Sequence, residues 1–412
     1  PEISKVILYN IMMISVKGED GKPILGFNQE FIDELIELGG EDLLICYQCG
    51  SCTAICPLSE VFNISFRKTI KYAQLGLEEK LLKDTTPWLC YACGECSDTC
   101  PRNAKPTNIL AAIRRYLTIK YDWTGLSRAL YFSKKAEVAG ISILAALTGL
   151  IIYLFHGPMV LERVELETFA PIHIVEPAGI ITLLVLAGFL LSNIYRMYKF
   201  IMSDAYPGVK IPLSMYIKEF IKIIPTHFLT QRLMNKCRER KSYWYTHLLI
   251  FYGYALAFIL FAVVLRYTQT NLPFLFVDPV SIFGILSFIF LLIGSSLAIY
   301  GRIRKTQPIW SFSHSTDWMF ITLLLLVSLT GLLTGIFRTI NWPLPTYIIY
   351  SIHLMLVVPF LALEVPFAKW SHLAYRPFAI YFHRLRELTY ELAPVKEARR
   401  ELIAQPITGG GG

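Results

Sequence analysis

The chain has 412 residues, 54% of them hydrophobic and 17% charged, and a formal net charge of +8. It is too long for one compact unit, and its composition is uneven along the chain. Its nine cysteines fall almost wholly into two short runs, so no disulfide framework is implied. The positive charge lies in loops between apolar stretches, which excludes reading it as a nucleic-acid footprint.

In chain order, residues 5–25 read as a short strand or hairpin and 31–38 as an amphipathic helix. The first cysteine run follows: Cys46-x-x-Cys49-x-x-Cys52-x-x-x-Cys56-Pro57. Residues 66–75 read as a helix ended by Gly76, and Pro87 restarts the chain. The second run, Cys90-x-x-Cys93-x-x-Cys96-x-x-x-Cys100-Pro101, repeats the first position by position. A helix over 109–119 comes next, with its Arg114–Arg115 pair expected at the lipid surface.

That duplicated spacing is the one in which three close thiolates hold three irons of a cubane while the fourth cysteine reaches the other cluster. It assigns Cys46, Cys49, Cys52 and Cys100 to one 4Fe–4S cluster, and Cys90, Cys93, Cys96 and Cys56 to the second. Zinc sites favour two separated Cys-x-x-Cys pairs and leave the repeated Cys-Pro unexplained. Cluster thiolates need a reducing compartment, which puts this region on the cytoplasmic side. Cys237, in a charged loop, reads as an incidental thiol.

Beyond residue 137 six apolar stretches exceed the ~18 residues that suggest a membrane span. They cover about 138–155, 174–195, 244–267, 280–300, 317–337 and 347–368. The first apolar run, 6–16, contains Asn10 and lacks a basic n-region, so no secretory signal is expected. Residues 196–241 hold ten Lys or Arg, and 301–316 add Arg302, Arg304 and Lys305; the opposite loops carry Arg163, Arg266 and Arg338. Positive loops stay inside, so the cluster region and the C-terminal tail both face the cytoplasm of a multi-pass membrane protein.

Three histidines lie at membrane depth. His247 sits one turn inside the third span, His353 near the outer end of the sixth, and His372 at its inner end. A helix from 353 to 372 covers about 28 Å, so these two histidines do not share one metal. On a straight helix they differ by about 100° in azimuth, and Pro359 and Pro366 between them offer a change of phase. Interhelical hydrogen bonding is the alternative role for each histidine.

Residues 39–54, Gly-Gly-Glu-Asp-Leu-Leu-Ile-Cys-Tyr-Gln-Cys-Gly-Ser-Cys-Thr-Ala, with Ala73-Gln74-Leu75-Gly76-Leu77 and Trp88-Leu89-Cys90, closely resemble the C-type iron–sulfur subunit of heterodisulfide reductases. This likeness covers residues 27–120. Residues 174–383 more loosely resemble the E-type membrane cytochrome b subunit of those enzymes and the gamma subunit of respiratory nitrate reductase, through 243–253, 317–331 and 353–381.

The second resemblance implies a proximal haem b on His247 and His372 and a distal haem b on His353. The position of the fourth ligand in the nitrate-reductase pattern is Ala257 here, leaving His173 as the substitute, with His156 a further outer-side histidine. A five-coordinate distal haem, or none, also fits. Arg196, Arg266, Arg338 and Arg376 are candidates for pairing with haem propionates.

The implied fold is all-α, a cytoplasmic α-helical two-cluster ferredoxin domain followed by a six-helix transmembrane cytochrome b-type bundle. Its parts are the ferredoxin domain, 1–120; a linker and tether helix, 121–173; a five-helix di-haem domain, 174–383; and a cytoplasmic tail, 384–412. The implied function is electron transfer between the quinone pool and a cytoplasmic catalytic subunit. No Cys-Cys-Gly motif occurs in this chain, so the substrate chemistry is expected on that partner. A passive anchor for a ferredoxin without haem and a redox-driven ion pump are the competing readings. The pump is weakened by the scarcity of span carboxylates, notably Glu176 and Glu364.

Overall fold

The computed structural model describes residues 28–236, 242–272, 278–310 and 312–404. The hairpin expected over 5–25 and Cys237 lie outside them. Among the described residues every regular element is helical. The longer helices are α1 (Gln29–Glu37), α2 (Phe66–Gln74), α3 (Pro106–Tyr121), α4 (Lys134–Phe155), α5 (Ile172–Met202), α6 (Leu213–Ile223), α7 (Ser242–Ala262), α8 (Pro279–Arg304), α9 (Ser315–Thr339), α10 (Pro343–Pro359) and α11 (His372–Ala404).

Among the described residues six stretches are long and apolar enough to cross a membrane: α4, α5, α7, α8, α9 and Pro343–Phe367, which contains α10. Each overlaps one of the six expected spans. Several begin a few residues early because a polar residue caps them. Ser133 accepts the Ala136 N–H, Asp278 accepts the Ser281 N–H, and His314 with Asp317 forms a capping box. Ile143, Leu147, Leu150 and Leu154 line the exposed face of α4, as lipid-facing residues do.

Two compact units emerge. Among the described residues, the first contains 28–117, 194–233 and 374–404, and the second 118–193 and 234–373. This grouping is not contiguous in sequence, unlike the division read from hydropathy. The reason is local: Arg376, His383 and Arg386 of α11 hydrogen-bond Trp88, Thr85 and Lys83.

In the first unit, Asn28 caps α1 and Ser65 caps α2. Phe66, Ile70 and Ala73, spaced i, i+4, i+7, bury one face of α2, while Phe31 meets Tyr116 edge-on with ring centroids 4.8 Å apart. The Arg114–Arg115 pair is not at a lipid surface. Arg115 is buried and donates to the Leu38 carbonyl at 2.8 Å; Arg114 donates to Pro87 and Cys90. Carbonyls left over at loop and helix ends claim these guanidinium groups.

In the second unit, α7 and α8 approach closely through small residues. A Cβ at Gly253 would lie 2.8 Å from Leu291 Cγ, and one at Gly294 2.7 Å from Ile250 Cγ1. The Ser287 hydroxyl donates to the Gly253 carbonyl at 2.8 Å. The sixth span is not one straight helix. A π-helical turn, Phe360–Glu364, follows α10; a short turn, Val365–Phe367, comes next, and Ala368 (φ −125°, ψ −145°) breaks the helix before His372 opens α11. Prolines 359 and 366 lack the N–H that regular α geometry would use there.

Candidate metal centres

The two cysteine runs fold alike. The residue two places after the first cysteine has positive φ in both, Gln48 at 62° and Ala92 at 55°. Two places further on, Gly50 (φ 89°) and Gly94 (φ 90°) open the short helices Ser51–Ala54 and Glu95–Asp98. Glycine takes that backbone without steric cost, whereas strain at Gln48 and Ala92 must be held by the surroundings.

One cavity is lined by Cys46, Cys49, Cys52 and Cys100, with Arg67 and Arg102 at its edge. The first three come from one run and the fourth from the other. Cys56 in turn lies within electrostatic reach of Cys90 and Cys93, as does Cys96. Burial pushes the Cys56 thiol up to about 11 and raises those of Cys52 and Cys96; the Ser51 hydroxyl lowers that of exposed Cys49. Thiols raised by burial are inert when free, but bound metal removes their protons outright, so this donor set suits a metal cluster. Among the described residues, no three His, Cys, Asp or Glu side chains group as a single ion requires.

Residues around the runs hold the loops and reach the sulfurs. Gln74 donates to the carbonyls of Leu43 (2.9 Å) and Cys46 (3.0 Å) and accepts from Gln48 at 2.6 Å. Arg114 donates to those of Pro87 (3.2 Å) and Cys90 (3.0 Å). Arg376 adds bonds to Trp88 (3.1 Å) and Cys90 (2.7 Å) while its guanidinium stacks on Tyr91. The Ala92 and Ala104 amides donate to the sulfurs of Cys90 and Cys100, each at 3.3 Å. Such bonds set the redox potential of a bound cluster. Sequence reasoning missed Gln74 and Arg114 in these roles: they stand 28 and 24 residues from the first cysteine of their runs, so the repeat did not align them.

In the second unit the structure brings His247 and His372 together. Their ring centroids are 6.2 Å apart with planes at 74°. Two metal–imidazole bonds of about 2 Å, plus the two ring radii, place a bis-imidazole pair at roughly 6 Å between centroids. His372 Nδ1–H donates to the Lys369 carbonyl, so Nε2 carries the lone pair. His353 has the same tautomer. The Thr330 hydroxyl gives its proton to the Leu326 carbonyl (2.8 Å) and therefore accepts from His353 Nδ1 (3.0 Å). Phe288 meets the His353 ring edge-on at 5.7 Å.

His173 lies exposed in the first turn of α5, and among the described residues no hydrogen bond or ring contact joins it to His353. His156 is bonded to the Gly157 carbonyl and stacked on Phe169. Three of the arginines considered for propionates are engaged elsewhere. Arg338 holds the carbonyls of Thr268, Thr270 and Leu272, Arg266 pairs with Glu176 at 2.7 Å, and Arg376 serves the Cys90 loop.

Residues 42–104 match the family model of the 4Fe-4S dicluster domain. This region is an iron–sulfur dicluster domain. The chain is 46% identical over 100 residues to a protein of Archaeoglobus profundus that is like the C-type subunit of heterodisulfide reductase, covering 23% of this chain and 53% of the relative. It is 33% identical over 87 residues to the C-type subunit of the H(2):CoB-CoM heterodisulfide,ferredoxin reductase of Methanothermobacter marburgensis, covering 21% and 47%. Over 95 residues it is 38% identical to a C-type iron-sulfur subunit of the CoB–CoM heterodisulfide reductase of Methanocaldococcus jannaschii, covering 21% and 50%. The chain spans about half the length of these curated relatives. No solved structure matches it. By their names these relatives are C-type subunits, or proteins like them, of heterodisulfide reductase systems.

Proposed function

We propose that this chain is the membrane-embedded electron-transfer subunit of such a system, linking the membrane quinone pool to a cytoplasmic catalytic subunit. The observation that carries the reading is the pairing, in one chain, of a dicluster domain with two imidazoles at ligand spacing among membrane-type helices. Cys46, Cys49, Cys52 and Cys100 would hold one 4Fe–4S cluster, and Cys90, Cys93, Cys96 and Cys56 the other. His247 and His372 would hold haem b, and His353 would be the single imidazole of a second haem. When bound, these groups supply reversible one-electron transfer at potentials tuned by their ligands and surroundings.

The chain's own residues bind and orient. Gln74, Arg114 and Arg376 fix the cysteine loops through their carbonyls. The Lys369 carbonyl and the Thr330 hydroxyl set the imidazole tautomers. The eight cluster cysteines leave only Cys237, so substrate chemistry falls to the partner. The relatives' names make disulfide reduction the first chemistry to assay in that partner.

Reduced-minus-oxidised visible spectra and metal analysis of the purified chain test the proposal. A b-type band with cluster iron of about eight per chain is expected. Cluster iron with no haem band would instead make the helices a passive anchor.

A further inference from the structure

The membrane unit gathers three carboxylates from three helical segments. Glu137 lies in the first turn of α4, Asp317 in the first turn of α9, and Glu364 ends the π-helical turn. π-Turns inside helices often mark functional sites. The three residues are 1%, 5% and 1% exposed. Gly140, one turn beyond Glu137, lets the π-turn approach: a Cβ there would sit 3.3 Å from Leu363 Cδ1. Glu137 is within electrostatic reach of both Asp317 and Glu364.

Lys369 answers two of the three. Its Nζ is 2.5 Å from Asp317 Oδ1, and its backbone N–H donates to Glu364 Oε2 at 3.0 Å. Neither oxygen of Glu137 has a hydrogen-bond partner among the described residues. A buried carboxylate without a donor is costly, and a proton is the ligand it lacks.

We propose that Glu137, Asp317 and Glu364 form a proton-binding site in which Glu137 takes the proton. One proton enters from the aqueous side and bonds a Glu137 carboxylate oxygen; no other bond changes. The charged and titratable groups facing the site are Lys134 on the same helix, Lys369, Arg302 of α8 and His314 at the start of α9. Lys369 pairs with Asp317, and Arg302 lies within electrostatic reach of it, which leaves Glu137 and Glu364 as like-charged neighbours. The Lys369 carbonyl also receives His372 Nδ1–H, so the site adjoins one of the two facing imidazoles. Negative charge added there favours the protonated carboxyl. That coupling rests on the haem reading, while the proton site itself does not.

The test is infrared difference spectroscopy of the full chain in lipid nanodiscs, titrated between alkaline and acidic pH in H2O and D2O. A carboxylic C=O band that shifts in D2O is expected in the wild type. It should be lost in Glu137→Gln and kept in Glu176→Gln. A band unchanged in both Glu137→Gln and Glu364→Gln, or no such band in the wild type, overturns the site. Sodium ions reproducing the spectral change at fixed pH would also overturn it, showing a metal-cation site instead. Where a haem band is present, its midpoint potential should depend on pH in the wild type and less so in Glu137→Gln. Absence of that band would remove the haem reading, and the redox-free titration would still decide the proton site.

Discussion

Gln74 and Arg114 grip equivalent carbonyls in the two cysteine runs, each bonding the first cysteine and the residue three places before it. One clamp is a neutral amide and the other a cation, reinforced at Cys90 by Arg376. Positive charge beside a cluster favours its reduced, more negative state. Arg114→Gln keeps a donor and removes the charge, so the cluster on the Cys90 side should titrate at a lower potential. Potentiometric electron paramagnetic resonance should show that signal moving while the other stays. Gln74→Leu should act differently. It leaves two carbonyls without a donor at a cost of about 1–3 kcal/mol each, and the Cys46-side signal should be lost first on mild heating.

The crossed arrangement of cysteines predicts an exchange of effects. Cys56 lies in the first run but within reach of Cys90 and Cys93, while Cys100 shares a cavity with Cys46, Cys49 and Cys52. Cys56→Ser should therefore change the same signal as Cys93→Ser, and Cys100→Ser the other one. Visible haem bands should persist in all three variants. Signals grouped instead by position in sequence would show that each run binds its own cluster.

His247 and His372 are expected to fail together. Each supplies one of two facing rings, so His247→Ala and His372→Ala should remove the same low-spin haem signal. His353→Ala should leave that signal and affect only a second haem. Loss of spectroscopically distinct haems from the first two variants would dissolve the pair.

Much of this organisation was legible from local pattern. Spans announce themselves because lipid demands continuous apolar surface, and both cysteine runs are contiguous in sequence. What pattern could not show were partners far apart in the chain. Arg376 stands 286 residues from Cys90, and nothing in its neighbourhood distinguishes a loop clamp from a propionate partner. Arg115 read as an interfacial cation, yet the Leu38 carbonyl claims it. Glu137 lay just outside the hydropathy window of its own span, so its meeting with Glu364 was invisible. The azimuth of a straight helix does not apply between His353 and His372, because the sixth span breaks at Ala368.

Acid should weaken the first unit through His227. Its ring lies 5.8 Å from Phe62, and its Nδ1 is 3.3 Å from the Tyr91 hydroxyl. Burial, and secondarily the Arg376 charge, push its pKa from 6.5 down to about 4. The folded state thus binds fewer protons than the unfolded one between those values. Its contribution to stability is complete above pH 6.5 and is lost progressively as pH falls toward 4. Cluster absorbance followed during acid titration should reveal this loss. In His227→Gln, which retains a hydrogen-bonding side chain but cannot titrate, the midpoint should move to lower pH. An unchanged midpoint would place the acid sensitivity in other groups.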